Sequence, residues 1–390
     1  MFDNTHESPV NVRAIHHLEF HVNNALQCAF WYCCNFGFQR FAVRRQLTTS
    51  EIAVRNGDVI LVFKCSLTPE HAQINAAELA RHGDFIKDVA FQVDDLHGLM
   101  QKIHEMSPEI IILPPTIPVE NEGITIAQVH GVDNASVVHT LIQKSSDYDG
   151  VFLPGFTSVD DFVINDILPK TTLHEVDHVV EGHAEGSTGN VLAWYERVLA
   201  MHRFWSIDER SVFTKYSALR ATVVANSYTH ATPPRVQVVV AEPVRLERDF
   251  RGQIQEFLDY NGGHGVQHVA FTVTDICAQV AILRTRGVQF LDIPNSYYDE
   301  LEERLAKSSI HVVEDLKKVR ELKLLLDFDD SGYLLQIFTK PMQDRPTFFV
   351  EIIQRHNFNG FGAGNFKALF AAVEREQRRK DAENRPANLS

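Results

Sequence analysis

The chain has few cysteines, no long apolar run and no excess of positive charge, and each deficit argues against a class of protein. Five of its 390 residues are cysteine and none form a CxxC pair, which favours reduced core thiols in a reducing compartment. No apolar run reaches the ~20 residues that span a bilayer, so we expect no membrane insertion. With 51 acidic and 37 basic residues, the net charge of −14 disfavours binding to nucleic acid or to an acidic membrane surface.

The N-terminal stretch has no apolar signal segment, and its Asp3 and Glu7 argue against an Arg-rich, acid-poor transit peptide. We therefore expect a cytoplasmic protein, with a mitochondrial location left open. The composition is that of an ordinary globular protein, 44% hydrophobic and 23% charged. The length is sufficient for two or three domains.

One pattern occurs four times along the chain. Each copy begins with a short apolar strand, continues into a helix-like run and ends in further apolar strands. The four opening segments are IHHLEFHVNN (15–24), IKDVAFQVDD (86–95), VDHVVEGHAE (176–185) and VQHVAFTVTD (266–275). We therefore expect an α+β fold of tandem βαβββ modules, in which two modules form each half and curl into an open barrel around a cavity.

The stretch SSDYDGVFLPGF contains the Gly, Pro and acidic residues typical of a connection between the two halves. We accordingly expect an N-terminal domain at residues 1–150, a linker at 151–173 and a C-terminal domain at 174–377. The charged run VEREQRRKDAENR predicts a solvated helix that frays into a disordered tail at 378–390.

Polar residues recur at the third position of the repeats, which holds His17, Asp88, His178 and His268. A lone strand histidine is more often a satisfied core residue than a ligand, but matching positions of two repeats would aim both imidazoles at one cavity. A further polar residue, Glu351, interrupts the apolar strand of DRPTFFVEIIQRHN. A carboxylate buried there needs a cation or strong donors. The alternatives are a strand face in contact with water or an ion pair with Arg355.

Matching SVVHTLIQK (136–144) to the corresponding strand of the second half sets Thr140 opposite Glu351. The second half then presents two histidines and Glu351, whereas the first presents His17, Asp88 and Thr140 and lacks a convincing third ligand. We infer a duplication in which only the C-terminal copy keeps a metal site. Two imidazoles and one carboxylate on one face of an ion are typical of non-haem Fe(II) oxygenases. The three open positions suit a bidentate 2-oxo acid and O2.

Long runs within residues 174–377 resemble the 4-hydroxyphenylpyruvate dioxygenases, which have the vicinal-oxygen-chelate fold. These runs are HEVDHVV, HRFWSID, QIQEFLDYNGGHGVQHVAF, LLQIFTKPMQDRPTFFVEIIQRHN and GFGAGNF. The first half matches mainly through FLPGF and the repeat pattern. The resemblance implies Fe(II) bound by His178, His268 and Glu351. It also implies eight substrate contacts: Gln253, Gln267, Gln336, Phe338, Phe349, Phe361, Asn365 and Phe366. Strand alternation would turn Gln267 away from His268, so its contact requires a local twist.

Two positions depart from the pattern of the homogentisate-forming members. Ala221 stands where a serine is expected and Ala241 where an asparagine is expected, so polar groups are deleted from the ring pocket or its hydrogen bonds. The segment RRQLTTSEIAVRNGD is also shorter than the usual hairpin. These features are closer to the dioxygenase-like animal paralogues, which resemble 4-hydroxymandelate synthases. Phe366, in contrast, keeps the bulky aromatic residue of the homogentisate formers.

The sequence therefore predicts an Fe(II)-dependent dioxygenase that oxidatively decarboxylates and hydroxylates 4-hydroxyphenylpyruvate, with 4-hydroxymandelate as the favoured product. One alternative is formation of homogentisate in tyrosine catabolism. The others are a relative with a different metal or substrate and a non-catalytic protein that keeps the fold. The expected partners are a small 2-oxo acid and O2 but no nucleic acid, and a homodimer is left open.

Overall fold

The architecture was obtained as a computed structural model. It describes residues 12–117, 123–134, 136–160, 164–207, 218–226, 236–244, 252–366, 368–373 and 375. The expected tail at 378–390 lies outside these residues, as do the first residues of the expected N-terminal domain.

The first half contains two βαβββ modules that share a nine-stranded sheet. The first module and the helix that follows it are β1 (Val12–His21), α1 (Ala25–Phe36), β2 (Gln39–Arg45), β3 (Thr49–Asn56), β4 (Val59–Ser66) and α2 (Pro69–His82). The second is β5 (Phe85–Val93), α3 (Leu96–Met106), β6 (Ile111–Thr116), β7 (Ile124–His130) and β8 (Val138–Lys144). The strand order is β6-β7-β8-β5-β1-β4-β3-β2-β9, where β9 is Thr157–Ser158. The opening strands β1 and β5 are therefore antiparallel neighbours at the centre of the sheet.

The second half repeats this arrangement after a short helix, α4 (Ile164–Ile167). Its third module is β10 (Val176–Gly182), α5 (Thr188–Val198), β11 (His202–Ile207), β12 (Ala218–Ala225) and β13 (Gln237–Val244), followed by α6 (Gln253–Asn261). Its fourth is β14 (Gly265–Thr272), α7 (Ile276–Thr285), α8 (Asn295–Leu305), α9 (Leu316–Glu321), β15 (Leu325–Phe328), β16 (Tyr333–Phe338) and β17 (Phe349–His356). The sheet order β11-β12-β13-β10-β14-β17-β16-β15 again places the two opening strands, β10 and β14, side by side. Each predicted repeat thus opens on a central strand.

The polar residue at the end of the opening segment stops the strand and begins the helix in three modules. The side chains of Asn24, Asp95 and Asp275 each accept a hydrogen bond from the backbone N–H three residues later. Such a cap satisfies one of the unpaired amides in the first helical turn and stabilises a helix by ~1 kcal/mol. The repeated NN, DD and TD endings are therefore the local signal for each strand-to-helix turn.

Both central strand pairs carry bulges at matching places. In the β10–β14 pair, Asp177 is the extra residue on β10 and Gln267 is the extra residue on β14. In the β1–β5 pair, His16 and Lys87 are the extra residues at the matching places, and Arg13 is a further one near the start of β1. A bulge interrupts strict alternation, so a side chain and its neighbour in sequence are able to face the same side.

Part of the predicted linker at 151–173 packs onto the first sheet. Residues Thr157–Ser158 pair with the edge strand β2, and Phe152, Leu153 and Phe156 are buried against the inner face of that sheet. The ring of Phe152 lies edge-on to His17, with the ring centroids 5.3 Å apart. This segment therefore covers part of the inner face of the first sheet. The domain boundaries themselves stay a prediction.

Two of the three residues of the first half that correspond to the metal-site candidates, Asp88 and Thr140, are hydrogen-bonded to each other and to Gln128. The backbone N–H of Thr140 donates to Oδ1 of Asp88 over 2.9 Å, and Gln128 Nε2 donates to Oδ2 over 3.2 Å. The Thr140 hydroxyl contacts the same Oδ2. Burial, with the negative charge of Glu19 nearby, raises the pKa of Asp88 to about 7. Burial lowers the pKa of His17 to about 4. In the first half, protein side chains therefore fill the place that corresponds to the predicted metal site of the second half.

We expect Asp88→Asn to change how stability depends on pH. The pKa of Asp88 is about 7 in the folded chain and ~4 when unfolded, so the folded state holds this proton more tightly. The contribution of Asp88 to stability is therefore lost as pH rises from ~4 to ~7. The free energy of unfolding of the variant minus that of the parent should therefore be larger at pH 8 than at pH 5, as measured by urea titrations at both pH values. A constant difference between the two proteins would contradict this expectation.

Candidate metal centre

Three adjacent strands carry the predicted ligands. His178 lies on β10, His268 on the central strand β14 and Glu351 on β17. In register, His268 is opposite Val180, two residues beyond His178, and Glu351 is opposite Ala270, two residues beyond His268. Because positions two apart share a face of a strand, all three side chains point to the concave side of the sheet. The strand register thus brings together residues from distant parts of the chain.

The three side chains converge on one point. The Nε2 atom of His178 lies 3.3 Å from Oε2 of Glu351, and the Nε2 atom of His268 lies 3.6 Å from the same oxygen. One ligand atom from each residue lies within 4.8 Å of the others, and this is the only such group of three in the part of the chain that the structure describes. The spacing and the donor set, two imidazole nitrogens and a carboxylate oxygen, fit a single Fe(II) ion.

The charges at the centre also favour a cation. Burial acts to raise the pKa of Glu351, but His178 and His268 hold it below its usual value. Burial acts to lower the pKa of His178, but the carboxylates of Glu351 and Asp177 raise it to about 9. Burial lowers the pKa of His268. The carboxylate of Glu351 and the two imidazoles therefore form a group that a divalent cation can bind in place of a proton.

The alternative pairing of Glu351 with Arg355 is wrong. The Nε and Nη2 atoms of Arg355 donate to the two carboxylate oxygens of Asp177, over 2.7 and 2.8 Å. Asp177 directly precedes His178, and the pairing of Asp177 with Arg355 was not predicted from the sequence. The signal available was an acidic residue placed next to a candidate ligand in an otherwise apolar strand.

A cavity of about 50 Å³ opens beside the three residues. Eleven of the predicted site residues line it: His178, Ala221, Ala241, Gln253, Gln267, His268, Phe338, Phe349, Glu351, Phe361 and Phe366. The bulge at Gln267 supplies the local twist that its contact requires. Five apolar wall residues were missed: Val180, Leu219, Val239, Ile254 and Leu369. Three of these lie two positions from a predicted residue on the same strand, so period-two alternation could have found them.

Aromatic rings surround the centre. Phe349 stacks on His268 with ring centroids 4.5 Å apart, and Phe361 lies edge-on to His178 at 5.2 Å. Ala221 and Ala241 are directly opposite each other on neighbouring strands and also line the cavity. The cavity is therefore predominantly apolar, with its charged groups concentrated at the metal-binding residues.

Gln336 and Asn365 do not line this cavity. Both are buried beside it, and Asn365 Oδ1 accepts a hydrogen bond from the Tyr297 hydroxyl over 2.7 Å. The side-chain nitrogens of Gln336 and Asn365 have no hydrogen-bond partner among the described residues. Direct contact of these two residues with a substrate stays a prediction.

Comparison with known proteins agrees with this geometry. Residues 177–337 match a family model described as the Glyoxalase/Bleomycin resistance protein/Dioxygenase superfamily. A Caenorhabditis elegans protein named only as putative is 44% identical over 95% of this chain and 98% of its own length. The 4-hydroxyphenylpyruvate dioxygenase of the same organism is 41% identical, over 94% of this chain and 92% of that one. The chain belongs to the 4-hydroxyphenylpyruvate dioxygenase family.

The chain is also similar to a solved structure of a second kind of enzyme. A triple variant of 4-hydroxymandelate synthase from Streptomyces coelicolor superposes with a TM-score of 0.78 at 29% identity, covering 94% of this chain and 99% of that one. The predicted vicinal-oxygen-chelate fold and the enzyme class, a non-haem Fe(II) dioxygenase, are confirmed. Within the described residues, no helix is both long and apolar enough to cross a membrane.

We expect Glu351→Gln to remove most of the Fe(II) affinity. The substitution keeps the shape of the side chain but deletes the only negatively charged ligand, so the loss should exceed the ~10–100-fold typical of removing an outer partner. Iron content after anaerobic reconstitution and dialysis measures this directly. Asp88→Asn, at the corresponding region of the first half, is the matched control and should retain iron. Equal iron in both variants would count against the proposed centre.

Proposed function

We propose that this enzyme converts 4-hydroxyphenylpyruvate and O2 into 4-hydroxymandelate and CO2. His178, His268 and Glu351 would hold the iron, within the C-terminal catalytic domain at residues 174–377. The observation that carries the proposal is the apolar cavity, which has a three-residue metal-binding group at one end and the facing pair Ala221 and Ala241 in its wall. The expected cytoplasmic location rests on the sequence arguments alone and stays a prediction, and a homodimer stays open.

The metal-binding group determines where the 2-oxo acid sits. When bound, iron would supply open positions for the carboxylate and keto oxygens of the substrate and the electrons that activate O2. The three protein ligands occupy one side, so the substrate must approach from the cavity. Since the 2-oxo acid end is held there, the benzylic carbon and the ring extend toward the aromatic walls.

The remaining wall residues would hold the ring and exclude water. Phe349, Phe361 and Phe366 present flat or edge-on surfaces suited to an aromatic ring. Gln253 and Gln267 supply polar groups in an otherwise apolar enclosure. A water-excluding pocket favours transfer of oxygen to the substrate over side reactions.

The choice of product depends on how firmly the ring is oriented. Attack at the ring followed by side-chain migration gives homogentisate, and attack at the benzylic carbon gives 4-hydroxymandelate. Methyl groups at Ala221 and Ala241 offer no hydrogen bond to a ring substituent, whereas the benzylic carbon stays covalently close to the anchored 2-oxo acid. This supports benzylic hydroxylation. Phe366, which lines the cavity, is the feature that favours homogentisate.

Incubation of the iron-loaded protein with 4-hydroxyphenylpyruvate in air tests the proposal. The two candidate products are isomers, so they must be separated by chromatography against standards before mass spectrometry. We expect O2 uptake equal to CO2 release, with 4-hydroxymandelate as the main product. Homogentisate as the main product would overturn the proposed regiochemistry. Bound iron without O2 uptake would favour the non-catalytic alternative.

We expect the double variant Ala221→Ser, Ala241→Asn to shift the products toward homogentisate. The two positions are cross-strand partners, so the new hydroxyl and amide would lie side by side in the cavity wall. One added hydrogen bond to the ring or its support corresponds to ~1 kcal/mol, or a several-fold change in the product ratio. The two single variants show whether the pair acts together. An unchanged ratio would mean that these positions do not orient the ring.

A further inference from the structure

A buried ion pair lies directly behind one of the metal-binding histidines. Asp177 and Arg355 are joined by two hydrogen bonds, Nε to Oδ2 at 2.7 Å and Nη2 to Oδ1 at 2.8 Å. Asp177 is on β10 and Arg355 is on β17, and β14 runs between these strands. The pair therefore ties together the strand that carries His178 and the strand that carries Glu351.

Asp177 is also in contact with His178. Its Oδ1 atom lies 2.6 Å from Nδ1 of His178, and the bulge at Asp177 places the two neighbouring side chains within reach of each other. The carboxylate, paired with the guanidinium of Arg355, is placed to accept the Nδ1 hydrogen of His178, which leaves Nε2 facing Glu351.

Arg355 connects this contact to the cavity wall. Its Nη1 atom donates to the carbonyl oxygens of Phe358 and Gly360, over 3.1 and 2.5 Å. The guanidinium carbon lies 5.3 Å from the ring centroid of Phe361, the residue that packs edge-on against His178. The guanidinium of Arg355 therefore contacts both the carboxylate of Asp177 and the ring of Phe361. Each of these two groups in turn contacts His178.

We propose that Asp177, held by Arg355, is a positioning residue for the metal centre: it sets the ring orientation and tautomer of His178 and increases its donor strength toward a divalent cation. A carboxylate behind a metal-binding imidazole has these effects in general. The inference rests on His178 being a metal ligand, as in the proposed function.

Comparison within the molecule supports this role. Among the described residues, the hydrogen-bond partner of His268 Nδ1 is the neutral amide of Gln267, whose Oε1 lies 3.2 Å away, so the two histidines are supported unequally. In the first half, the bulge position that corresponds to Asp177 holds His16, whose Nδ1 lies 2.9 Å from Nδ1 of His17. The carboxylate is therefore present in the half with the metal-binding group and replaced by an imidazole in the other.

Asp177→Asn, studied in the full-length protein, tests the proposal. It keeps the size of the side chain and removes the charge that supports His178. We expect Fe(II) affinity, measured by competition with a chromophoric chelator, to fall ~10–100-fold. The absorption bands of the Co(II)-loaded protein should also shift, because the donor strength of one ligand changes.

Glu51→Gln is the matched control. Glu51 is another buried carboxylate, paired with Arg44 on the first sheet and remote from the metal-binding group. The Glu51→Gln variant should lower the melting temperature of the metal-free protein, as we also expect of Asp177→Asn. It should leave Fe(II) affinity and the Co(II) spectrum as in the parent. Unchanged affinity in Asp177→Asn, or an equal loss in both variants, would overturn the proposal.

Two further variants separate the possible failures. Should Asp177→Asn not fold, Arg355→Lys keeps the positive charge but loses the two-point contact, and we expect Fe(II) affinity to fall ~3–10-fold. Unchanged affinity there would overturn the role of the pair.

His178→Ala should lose far more Fe(II) affinity than either variant. If it binds Fe(II) like the parent, the proposed metal centre itself fails, and not only the role of Asp177.

Discussion

The arrangement of the metal-binding group in the second half depends on one constraint: the carboxylate of Glu351 is buried in an apolar strand. Isolated, such a charge would be too costly to keep. Among the described residues, its ion-pairing partners are the imidazoles of His178 and His268, which come from the two neighbouring strands. Two imidazole nitrogens and one carboxylate oxygen are also a donor set that suits a divalent cation. The strand register, the bulges and the aromatic surroundings all act to hold these three groups on one point.

The two halves share a backbone plan and differ in what fills their cavities. Strand pairing places Glu19, Glu51 and Lys64 of the first half at the positions of Val180, Ala221 and Ala241 in the second. In the first half these charged side chains pair with one another, with Lys64 3.4 Å from Glu19 and 3.8 Å from Glu51. In the second half, small or branched apolar residues leave an open cavity. The first half is therefore closed by its own side chains, and the second half has space for a ligand.

Support for the metal-binding residues comes from a second set of contacts that runs across the strands. The carboxylate of Asp177 faces Nδ1 of His178, and Arg355 joins that carboxylate to the loop that carries Phe361. A mobile imidazole would bind a cation weakly, since the ring would have to be ordered on binding. The same guanidinium that neutralises Asp177 therefore also keeps one wall of the substrate cavity in place.

Much of this arrangement was determined by local sequence patterns. The fourfold repeat, the polar third positions and Glu351 within an apolar strand are short-range features, and together they predicted the modules and the half with the metal-binding group. The expected cavity residues came from the resemblance to the family. Only the tertiary structure decided the bulges at Asp177 and Gln267, because a bulge is defined by the partner strand and not by the strand itself. It also decided the partner of Arg355, which lies 178 positions away in the sequence. Long-range ion pairs and the walls of a cavity depend on how strands align in space, and this alignment is set by the packing of the whole sheet.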